Sequence, residues 1–89
     1  MPRTIHVQGH VRSVMDPDGA VILDLQQGRY YSLNGVGAEI WSQIESGRSL
    51  PEIETHIKDS FGATDDVVRT DVAAFLDDLQ RKKLVDVRD

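Results

Sequence analysis

Val21 to Leu25 and Tyr30 to Leu33 each alternate apolar side chains with a period of two. Straight after Asn34 the apolar period becomes about 3.6, so the chain has to turn a β-hairpin directly into a helix. Between the two strands lies Gln26-Gln27-Gly28-Arg29, where Gly28 supplies the positive φ of a tight turn. Asn34 is expected to cap the helix, which carries Ile40, Trp41 and Ile44 on one face. The last strand of such a unit lies at a sheet edge, and the unpaired N–H and C=O groups of an edge can take up an extended peptide.

Upstream, Val11, Ser13 and Met15 alternate with Arg12 and Val14, which predicts a strand over about 10–15. Asp16-Pro17-Asp18-Gly19 then reads as a turn. A three-stranded antiparallel meander follows, over about 10–15, 20–25 and 29–33. Its middle strand is apolar on both faces, with Val21, Leu23 and Leu25 one way and Ala20 and Ile22 the other, as suits a central strand. Residues 1–9 show little periodicity and are expected to be a flexible segment ahead of a single domain over 10–89.

Helix one is expected over 35–46, ended by Gly47. Ser49-Leu50-Pro51-Glu52 is a capping box that opens helix two, over 50–60, with Ile53, Ile57 and Phe61 on its buried side and Gly62 as its stop. Thr64-Asp65-Asp66 opens helix three and Arg81-Lys82-Lys83 closes it, matching the helix dipole at both ends. Val68, Val72, Phe75, Leu76 and Leu79 form its apolar stripe. Leu84 to Val87 is either a short final strand or an extended tail. Three strands followed by three helices indicate an α+β domain with the helices on one face of the sheet.

At 89 residues the chain forms one small core, and with no cysteine it has no disulfide, thiolate metal site or thiol catalysis. No apolar run is long enough to span a membrane and no signal segment opens the chain, so a cytoplasmic location is expected. A net charge of -5 disfavours nucleic acid as a partner.

The candidate chemical sites are weak. His6 and His10 lack acidic or cysteine partners for a metal, and His56 has no serine or acid placed by sequence to complete a triad. Gly35-Val36-Gly37 is too short for a phosphate loop and is better explained by close packing of helix one on the sheet. Asp65-Asp66 and Asp77-Asp78 are adjacent pairs, and neighbours on a helix point about 100° apart, so neither forms a cation cage. Trp41 reads as core. Tyr30 and Tyr31 face opposite sides of their strand, and core packing and peptide binding are equally open for the pair.

Several pieces in order give a resemblance: Leu23-Asp24 before Gly28, Tyr30-Tyr31-Ser32-Leu33-Asn34, Gly37-Ala38-Glu39-Ile40-Trp41, Gly47 and Ser49 into helix two, and Val72, Phe75, Leu76 and Leu79 leading to Lys83-Leu84-Val85. In these the chain resembles the PqqD-like proteins, the precursor-peptide recognition elements of ribosomally made, modified peptides, and among them the stand-alone proteins of lasso-peptide pathways. The resemblance implies a winged helix-turn-helix-like domain without catalytic activity or cofactor. It would bind a leader peptide by β-strand addition to the third strand, in a groove against helix three. On that model the backbone of Arg29, Tyr30, Tyr31, Ser32 and Leu33 carries the ladder. Val68, Val72, Phe75, Leu76 and Leu79 divide between core and groove, and Arg29, Asp71, Lys82 and Lys83 supply rim charges. The implied partners are a leader peptidase and a macrolactam cyclase.

Two alternatives share the architecture. The pyrroloquinoline quinone version of the family partners a radical SAM enzyme. A DNA-binding winged helix ranks below peptide binding, because helix two carries Glu52, Glu54 and Asp59 against Lys58, and helix three is also rich in aspartate.

Overall fold

The computed structural model describes residues 3–88. Strands β1 (Thr4–Val7), β2 (Val11–Asp16), β3 (Gly19–Asp24) and β4 (Arg29–Asn34) precede helices α1 (Gly35–Glu45), α2 (Leu50–Phe61) and α3 (Asp65–Arg81), and β5 (Val85–Arg88) closes the chain. The main sheet has the order β2-β3-β4, antiparallel throughout, with Ile22 opposite both Ser13 and Tyr31. The doubly apolar strand is central and β4 lies at an edge.

The flexible segment expected over residues 1–9 is corrected for the part the structure describes. Thr4–Val7 pairs with β5, Ile5 opposite Val87, in a separate two-stranded sheet, and Ile5 is buried. Its pairing partner lies some eighty residues away in the chain, so local periodicity could not reveal it. The Arg3 carbonyl accepts from Leu50 N–H at 2.9 Å, and the Leu84 carbonyl accepts from Gln8 N–H at 3.0 Å. The residues on either side of β1 therefore tie it to the start of α2 and to the turn after α3.

One cluster forms the core: Ile22 from the sheet, Ile40, Trp41 and Ile44 from α1, Ile53 and Ile57 from α2, and Val68, Val72, Leu76 and Leu79 from α3. Phe61 is an exception to the expected buried side of α2, at 47% exposed. Eight residues of helix carry it about 80° around the axis from Ile53, off the buried stripe. Asn34 occupies the N-cap position of α1, but its side chain makes no cap hydrogen bond. The chain turns this corner through Gly35 at φ 42, which changes how the first-turn amides face Asn34.

The capping box of α2 is complete. Ser49 Oγ accepts from Glu52 N–H, and the Glu52 carboxylate accepts from Ser49 N–H at 2.9 Å. The Ser49 backbone N–H, then its hydroxyl, hold the Glu52 carboxyl below the ordinary carboxylate range, with Arg48 adding to the effect. A lowered folded value means that this contribution is complete above the ordinary pKa and disappears as pH falls through the lowered one. Ser49→Ala is expected to cost about 1 kcal/mol in urea unfolding. In carboxyl-carbon NMR it should return the Glu52 titration only part of the way, because the backbone donor remains.

Candidate functional site

The free edge is β4, and its hydrogen-bonding direction follows from the ladder. Leu25 N–H donates to the His10 carbonyl at 2.9 Å, so alternate residues Leu23 and Val21 also turn their backbone groups toward β2. Asp24, Ile22 and Ala20 then turn theirs toward β4, where they meet Arg29, Tyr31 and Leu33. Tyr30 and Ser32 are left directing N–H and C=O away from the sheet, and no further strand pairs with β4 among the described residues.

Side chains alternate the other way. Tyr31 and Leu33 face inward and pack against the core, whereas Tyr30, at 72% exposed, points from the outer face. Tyr31 lies beneath Lys82, whose Nζ is 4.7 Å from the ring centroid and 2.7 Å from Asp78 Oδ2. Leu33 meets α1 and α3 at Gly37, where a Cβ would lie 3.4 Å from Phe75 Cε1 and 3.8 Å from Leu33 Cβ. The glycine thus lets the corner between β4 and α1 close onto α3, the packing role expected for Gly35-Val36-Gly37. Beside it, Val36, Gly37, Ile40, Ala74 and Phe75, together with Asp71 and Asp78, line a mostly apolar pocket of about 420 Å³.

The stripe of α3 divides cleanly. Val68, Val72, Leu76 and Leu79 are no more than 5% exposed and belong to the core, so of the five apolar residues expected to divide between core and groove only Phe75 is left toward the groove. They sit at spacings of 4, 4 and 3, while Phe75 is offset by one residue from Leu76 and lies only partly buried toward β4 and α1. Of the rim charges, Arg29, Asp71 and Lys83 are exposed, and Lys82 is half-buried in its contacts with Tyr31 and Asp78.

The turn that sets the β4 edge depends on Asp24, which in the sequence stands out only as part of the Leu23-Asp24 motif. Its side chain is fully buried, and Oδ1 accepts from the N–H groups of Gln26 and Gln27, both at 3.0 Å. The Asp24 carbonyl accepts from Gly28 N–H at 2.9 Å, and Gly28 takes φ 68. An aspartate four residues before a turn glycine was the available signal.

His56 gains partners that sequence spacing could not place, since Glu39 Oε1 lies 2.7 Å and Ser60 Oγ 3.4 Å from it. Both approach the same atom, Nε2. A proton relay needs the two ring nitrogens to face different partners, so this group ties α1 to α2 and is not a triad. His6 Nε2 bonds Thr4 Oγ1, and His10 Nε2 lies 3.8 Å from Asp24. Among the described residues no group of three or more metal-ligating side chains occurs, and no helix is long and apolar enough to cross a membrane.

A free edge strand beside a half-apolar groove, on a three-strand, three-helix α+β frame, defines a small recognition domain. The chain belongs to the PqqD family, whose model, coenzyme PQQ synthesis protein D, matches residues 19–85. Proteins of this family bind their ligands and do not catalyse. Two solved structures are similar. TbiB1, in complex with the TbiA(beta) leader peptide, is 33% identical with a TM-score of 0.88, over 91% of this chain and 94% of that one. Lasso peptide synthetase B1, complexed with the leader peptide, is 20% identical with a TM-score of 0.82, over 91% and 95%, and shares the fold. No curated protein sequence matches.

Proposed function

We propose that this chain is a recognition element that holds the leader of a ribosomally made precursor as an added strand on β4. It delivers that precursor to a leader peptidase and then a macrolactam cyclase, as in lasso-peptide biosynthesis. The observation that carries the reading is the outward backbone of Tyr30 and Ser32 alongside the groove floored by Leu33 and Phe75. The ladder supplies sequence-tolerant affinity, and alternate leader side chains, two residues apart, enter the groove for selectivity. The leader complexes of the two similar structures support the same use of the fold here. Holding the leader raises the effective concentration of the scissile segment at the peptidase.

Titration with the synthetic leader of the precursor encoded beside this chain's own gene tests the proposal. One-to-one binding is expected, with new protection of the Tyr30 and Ser32 amides from hydrogen exchange. Binding that protects other amides and leaves these two unchanged would end the strand-addition model. The alternative, service to a radical SAM enzyme as in the pyrroloquinoline quinone version of the family, is decided by which enzyme a leader-loaded chain retains from the same gene neighbourhood.

A further inference from the structure

Among the described residues, unpaired charges of opposite sign lie toward the two ends of the groove. At the end where β4 meets α1, Asp71 borders the apolar pocket and has no hydrogen-bond or ion-pair partner among the described residues. Asp78, at the same pocket, is already paired with Lys82. At the opposite end Arg29 opens β4 on the same face as Tyr31, and Lys83 follows the Lys82 that covers that ring. Among the described residues neither the Arg29 nor the Lys83 side chain has a hydrogen-bond or ion-pair partner, as is also true of Arg69 in the cleft between α2 and α3, whereas Arg48, Lys58, Arg81, Lys82 and Arg88 are in ion pairs.

Lys83 carries a second, independent signal. It takes φ 60, the only described non-glycine residue with positive φ. Lys83 N–H donates to the Gln80 carbonyl and Leu84 N–H to the Leu79 carbonyl, both at 3.0 Å. This is the helix ending in which glycine is favoured at the left-handed position. Lysine there departs from what the backbone prefers, and complementing the helix dipole does not require it, because Arg81 and Lys82 already occupy the end of α3.

We infer that the groove reads the charge polarity of the leader. The strand takes a basic residue onto Asp71, apolar residues onto Leu33 and Phe75, and an acidic residue onto Arg29 and Lys83. This rests on the leader-binding reading and adds a direction to it. Every pair in the main sheet is antiparallel, and an antiparallel added strand is the more stable continuation. Its N-terminal side then lies by Asn34 and α1, and its C-terminal side leaves past Arg29. The required order is therefore base, apolar pair, acid, from N- to C-terminus. Arg29 and Leu33 are roughly 14 Å apart along the strand. Asp71 and Lys83 are roughly 18 Å apart along the helix. Both spans exceed the screening length of about 8 Å in physiological salt, so each end selects its own residue.

The test uses the intact chain and the synthetic leader encoded beside its gene, followed by fluorescence anisotropy, with circular dichroism to confirm folding. Asp71→Lys and the pair Arg29→Glu with Lys83→Glu are each expected to weaken binding about tenfold. Replacing the leader's base by glutamate should weaken binding to the native chain, and Asp71→Lys should restore it. Lys83→Gly should raise the melting temperature yet weaken binding, separating the backbone's preference from the charge. If the native leader binds but these changes on both sides leave affinity within twofold, the polarity inference is overturned and strand addition stands. The same holds if the leader lacks a base and an acid in that order. If the folded native chain does not bind the leader at all, the leader-binding reading itself falls.

Discussion

Ser32→Pro is expected to weaken leader binding by at least about 30-fold while leaving a cooperatively folded protein. The N–H at Ser32 points away from the sheet, so proline removes no bond of the native ladder, and edge positions of this kind tolerate it. What it removes is a donor to the incoming strand, worth about 1 kcal/mol net. The ring also occupies the space through which that strand must approach, and a combined loss of about 2 kcal/mol corresponds to roughly 30-fold in affinity. Tyr31→Pro is the internal control. Its N–H faces Ile22 within the sheet, so the change removes a ladder hydrogen bond and should destabilise the fold by about 1–3 kcal/mol in urea unfolding. A folded Ser32→Pro chain that binds within twofold of the native one would remove β4 from the interface.

The second large effect separates two adjacent residues of α3. Leu76 is 5% exposed within the core cluster, so Leu76→Asp buries an unpaired carboxylate and should leave the chain largely unfolded, seen as loss of helical circular dichroism. Phe75 is only partly buried at the contact of β4, α1 and α3, where aspartate keeps access to water. Phe75→Asp should therefore retain the fold and lose the apolar floor of the groove. Burying an aromatic side chain is worth about 2–3 kcal/mol, so affinity should fall about 30- to 150-fold. Equal unfolding by both substitutions would mean that Phe75 belongs to the core and not to a binding surface.

Particular residues show how far the fold was readable. The capping box at Ser49 and Glu52, the Gly28 turn and the central position of β3 rest on interactions a few residues apart, or on a period that a short window displays. The same holds for the edge position of β4, which follows from a meander that ends in a helix. The pairing of Thr4–Val7 with Val85–Arg88 was beyond such reading, because each segment is only four residues long and its partner lies at the other end of the chain. Phe61 was misplaced because spacing by fours drifts off the stripe over two turns.

The candidate site divides along the same line. Periodicity and turn chemistry in the chain are enough to specify an open strand, its two tyrosines on opposite faces and an apolar helix to lie beside it, because all of these arise from near neighbours. Which α3 residues are core, which charges stay unpaired and which amides of β4 point outward come from packing. Four apolar residues of α3 are consumed by contacts with other elements, Gly37 admits Phe75 to the β4 corner, and the hydrogen bond from Leu25 to His10 sets the phase of the whole ladder. Those are contacts between residues distant in sequence, and a linear pattern holds no record of which partners the folded chain brings together.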